Sequence, residues 1–92
     1  MNFNALKSAA NDVIDAIYTD SFETVTADVL TSIKNQMVFI RDAAAAGKDP
    51  AAELPSGTKF TYAVLASREL ASPDELLLQA KIDKVTRILI KA

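Results

Sequence analysis

No cysteine and no histidine occur anywhere in the 92 residues. The first absence excludes disulfides and thiolate metal sites. The second removes the common zinc ligand, the near-neutral general base and the serine-hydrolase triad. Only oxygen ligands remain for a metal, and no cofactor motif is present: the chain has no P-loop, GxGxxG or HExxH pattern. Tryptophan is missing as well, and two glycines and three prolines are too few for an all-β fold with frequent tight turns. No run of about 18 apolar residues exists to cross a bilayer. The opening Met1-Asn2-Phe3-Asn4-Ala5-Leu6-Lys7 lacks the basic-then-apolar order of a secretory signal. The expectation is therefore a cytoplasmic protein without membrane association.

Half of the residues are hydrophobic, but much of that half is alanine, which favours helix and close helix approach without adding much buried area. At this length a chain forms one domain, here 1–92, and buries only about 60–65% of its unfolded surface. A core so thin demands dense packing or completion by a partner. The formal charge is −2 and the pI about 4.9, a small acidic protein whose overall charge favours neither nucleic acid nor membrane. The charges are nevertheless segregated. Up to Ile33, Lys7 is the sole base against Asp12, Asp15, Asp20, Glu23 and Asp28. From Lys81 onward, Lys81, Lys84, Arg87 and Lys91 face Asp83 alone. Mutual compensation of the two ends is the first explanation, and contact with phosphate or an acidic protein is the second.

Periodicity predicts four helices, at about 4–18, 21–46, 58–70 and 73–90. In the first, Phe3, Leu6, Ala10, Val13, Ile14, Ile17 and Tyr18 make one stripe, with Asn4 or Asn2 as N-cap. Asp20 and Glu23 have capping-box spacing, which predicts a second helix beginning near Ser21 and ending before Gly47. At about 39 Å that helix would be the spine of the domain. Asp49-Pro50-Ala51-Ala52-Glu53 suits a single turn with Asp49 as cap, and Leu54 is the expected anchor of the loop. Lys59 to Ala71 fits strand and helix alike. A helix buried through Val64, Leu65 and some of Phe60, Ala66 and Leu70 is favoured, because a lone strand has no partner. The last helix carries the strongest start signal, Ser72-Pro73-Asp74-Glu75. Its core stripe is Leu78, Ile82, Val85 and Leu89, broadened by Leu77, Ala80 and Ile88. The fold class is all-α: a small antiparallel four-helix bundle, irregular in so far as the helix lengths differ.

Catalysis has little to rest on. Asp12 and Asp15 are the nearest thing to paired carboxylates, but an i,i+3 acidic pair on a solvated face is ordinary surface. The class with most room is a non-catalytic protein-interaction module, an adaptor, inhibitor or small assembly subunit. The second helix has more apolar positions than one stripe hides, so Leu30, Val38 and Phe39, rimmed by Lys34 and Arg41, are its candidate partner surface, with Phe39 the anchor. Leu77 is a further outward candidate, and self-association as a homodimer would serve the same thin core. The alternative is a small nucleic-acid-associated protein using Lys81, Lys84, Arg87 and Lys91. Against it, Asp74 and Glu75 occupy the end of the helix that would meet the bases in a helix-turn-helix.

Overall fold

In a computed structural model of the chain, the residues described are 2–19, 25–55, 57, 59–70 and 72–90. Four helices are arranged in order: α1 (Phe3–Thr19), α2 (Ala27–Ala45), α3 (Tyr62–Glu69) and α4 (Pro73–Ile90). They form a small helical bundle in which α1 packs against α2 and α4, while α3 packs against α2 and α4. Among the described residues none of the helices is long and apolar enough to cross a membrane.

The expected spine is displaced from α2 to α1. Helix α1 buries Leu6, Ala9, Ala10, Val13, Ile14 and Ala16. At about 100° per residue these directions span an arc of about 160°. Helix α2 buries Ile33, Met37, Ile40 and Ala44, a stripe only about 60° wide. The alanines let two neighbours close on α1 from different sides, so it is α1 that joins the layers, and α4 lies against α1 instead of α2.

Helix ends follow local hydrogen-bonding chemistry. Asn2, not Asn4, caps α1: its Oδ1 accepts from Ala5 N at 3.0 Å. Helix α2 starts at Ala27, six residues later than the periodicity predicts. Thr26 is extended (ψ 149°) and its hydroxyl accepts from Val29 N. A β-branched residue with an accepting oxygen is better placed as a cap than inside the helix. The Asp20–Glu23 box lies outside the described residues. The end of α2 is as expected. Gly47 has φ +71°, Gly47 N donates to Ala44 O at 3.0 Å and Lys48 N to Ala43 O at 2.9 Å, the Schellman pair that a left-handed glycine permits. Asp49 does cap a turn, with Ala51 N donating to its Oδ1 at 3.0 Å. Pro50 is fully buried in this loop, whereas the expected anchor Leu54 is half-buried.

Ser72 accepts from Glu75 N at 3.3 Å and its hydroxyl donates to the Glu75 carboxylate at 2.5 Å. Glu75 closes this capping box as expected and is itself buried. Leu78, Ile82 and Val85 are buried as expected, but Leu77 and Ala80 are exposed and do not broaden the core stripe.

Replacing Ala10 by leucine forces extra volume into the core, where Ala10 is fully buried. Chemical unfolding should show Ala10→Leu destabilised by about 1–3 kcal/mol, while the same change at exposed Ala80 leaves stability within about 0.5 kcal/mol.

Candidate functional site

Helix α3 begins at Tyr62 rather than near Thr58 because a side chain from α2 holds its start. Gln36 Oε1 accepts from Thr61 N at 2.8 Å and Tyr62 N at 2.9 Å. Its Nε2 donates to Thr61 Oγ1 at 3.0 Å and to Ser32 Oγ at 3.3 Å. The amide thus satisfies backbone donors that open every helix and pins the returning chain to the middle of α2. Tyr62 then occupies the core position that periodicity assigned to Val64, which is exposed. The Tyr62 hydroxyl meets Thr86 Oγ1 at 2.9 Å, tying the start of α3 to the latter part of α4.

Above this junction is an open groove of about 510 Å³ lined by α2 residues Asp28, Ser32, Gln36 and Phe39 and by Leu54 and Phe60 of the return loop. Phe39 and Phe60 meet edge to face at 5.9 Å between centroids, and Phe60 and Tyr62 at 6.0 Å. Phe39 keeps 37% of its surface exposed, so the expected anchor is half engaged by its own chain.

The five α2 candidates do not form one surface. Leu30, Lys34, Val38 and Arg41 project within about 80° of one another, and Phe39 points about 100–180° away from them. Leu30 and Val38 are partly buried against the core. Lys34 places its Nζ 5.6 Å from the Tyr18 ring centroid, a cation–π contact with the last turn of α1. Arg41 pairs with Asp42 at 3.2 Å. The first four therefore line the flank beside α1, and Phe39 belongs to the groove.

The most exposed large apolar cluster is on α4. Leu77 is 68% and Leu76 53% exposed, with exposed Ala80 one turn on. These point away from the buried Leu78, Ile82 and Val85. Lys84 and Arg87 continue the same outward stripe, Lys81 flanks it, and all three are exposed; Lys91 lies outside the described residues. Among the described residues none of these bases forms an ion pair. The expected compensation places α1 beside α4 but does not join Asp12 or Asp15 to them. Leu76 went unweighed in the sequence, although three successive leucines, Leu76-Leu77-Leu78, cannot all face one core at about 100° per residue. Compared with known proteins, the chain matches no family model, no curated protein and no solved structure.

Two outcomes follow from the α2–α3–α4 junction. Gln36→Leu leaves the Thr61 and Tyr62 amides without their acceptor, which should lower stability by about 1–3 kcal/mol and speed hydrogen exchange first at those two amides. Burial raises the Tyr62 phenol above its ordinary value, the Thr86 hydrogen bond opposes the rise and Asp83 adds to it. The unfolded chain therefore ionises this group first, so its stabilising contribution is complete below about pH 10 and declines as the pH climbs beyond. Urea unfolding across the alkaline range should show a shallower decline for Tyr62→Phe than for the wild type.

Proposed function

We propose that the protein is a non-catalytic, cytoplasmic protein-interaction module, an adaptor, inhibitor or small assembly subunit, that presents the outward face of α4 to a protein partner. The observation that carries this reading is the Leu76–Leu77 pair, both more than half exposed and continued by Lys84 and Arg87 along one stripe. Single exposed leucines are ordinary, but two on one turn with Ala80 between their directions form a contiguous apolar patch. The basic rim supplies orientation and encounter rate more than affinity. A catalytic role draws no support from Asp12 and Asp15, which are exposed on α1 with no enclosing apolar pocket to separate their acidities.

The test is capture by the tagged protein with and without nuclease, alongside a Leu76→Glu/Leu77→Glu variant whose circular dichroism and melting are checked. A stoichiometric protein that survives nuclease and is lost with the variant is expected. An equally strong capture by the variant would contradict the α4 reading. Recovery of nucleic acid, lost when Lys84 and Arg87 are changed to glutamine, would favour the phosphate-binding alternative.

A further inference from the structure

We infer that the occupant of the α4 face is the outward face of α1 in a second copy of the chain, a pairing that rests on the α4 reading above. The outward side of α1 carries exposed Asp12 and Asp15 followed by Tyr18, which is 70% exposed with Lys34 against its ring. The outward side of α4 carries Leu76 and Leu77 followed by Lys81, Lys84 and Arg87, with exposed Asp83 the single acid among these bases. Acids precede the aromatic on one helix, and leucines precede the bases on the other. Laid antiparallel, the two stripes set Tyr18 on the leucines and the carboxylates against the bases. The spacings agree. Tyr18 and Asp12 are about 9 Å apart along α1, and Leu77 is separated from Lys81 and Lys84 by about 6 and 10 Å.

Among the described residues, Asp12, Asp15, Lys81, Lys84 and Arg87 take no part in the ion pairs, which join Arg41 to Asp42 and Lys48 to Glu53. Because α1 and α4 are neighbours, a two-fold axis between them places each α1 on the other copy's α4 and makes the contact twice. Direct α4–α4 pairing would instead leave the bases without carboxylates of α1 opposite them. The paired helices offer a face about 25 Å long and 20 Å wide. The corresponding 1,000 Å² or so from both copies is near the lower limit for a specific interface, so the dimer exchanges readily.

Sedimentation velocity on the full chain at rising concentration, to about 1 mM, reads the outcome. The wild type should dimerise, less so as salt screens the contact. Lys84→Glu/Arg87→Glu and Asp12→Lys/Asp15→Lys should each weaken self-association by about tenfold or more through like-charge contact. Mixed together, these two variants should form a heterodimer as tight as the wild-type dimer, because both α1–α4 contacts then regain opposite charge. One chain carrying all four substitutions should regain self-association, which guards against either double variant failing through its fold.

A wild type that stays monomeric, or double variants that do not recover on mixing, would overturn the pairing. A monomeric wild type whose captured partner is still lost on Leu76→Glu/Leu77→Glu overturns self-pairing alone. A dimer indifferent to those leucine substitutions overturns the α4 reading with it.

Discussion

Everything else in the bundle depends on α1 being narrow enough to be shared. A 92-residue chain has little area to bury, and this one spreads burial around about 160° of α1 by setting Ala9, Ala10 and Ala16 among Leu6, Val13 and Ile14. Two helices can then approach α1 closely at once. Helix α3 closes the ring on the far side, where the backbones of α2 and α4 stay apart. Its eight residues are too few to be stable as an isolated helix; Gln36 and Tyr62 hold it in place from either end of the junction.

Local rules were legible where a side chain acts on its own neighbourhood. Gly47 as the left-handed residue after α2, Asp49 at its turn, and Ser72 before α4 were all evident, because each signal spans only a few residues. The centres of the α1 and α4 stripes were evident for the same reason, but Tyr18 and Leu77 turned outward and Ala9 and Ala16 inward. What escaped was set by contacts distant in sequence. Gln36 reads as a polar residue on α2, yet it decides where α3 begins, 25 residues away. Tyr62 takes the core place expected of Val64 and meets Thr86 on α4, a partner that no local period announces. The first half of α2 was overextended for a simpler reason: the Asp20–Glu23 spacing outweighed Thr26, whose hydroxyl caps the helix.

The candidate surface shows the same division. Periodicity identified α2 as having surplus apolar positions, and the surplus is real, but Leu30 and Val38 spend it on the flank beside α1 and Phe39 on its contact with Phe60. The corresponding surplus on α4 finds no cover within the chain. Segregated charge, which intramolecular balance first explained, forms no ion pair between α1 and α4 among the described residues, even though the two helices adjoin. An apolar patch and unspent bases on one helix, with unspent acids and an exposed ring on its neighbour, make association the economical account of both.

Native-state hydrogen exchange tests the central claim, that α1 is the element on which the others depend, most directly. Amides exchange slowly in proportion to the free energy of the opening that exposes them. The account predicts that the slowest amides lie in the Leu6–Ala16 stretch of α1 and open only with global unfolding, while α3 and the first turn of α2 exchange through smaller openings. Slowest exchange in α2, with α1 opening on its own at lower free energy, would contradict it.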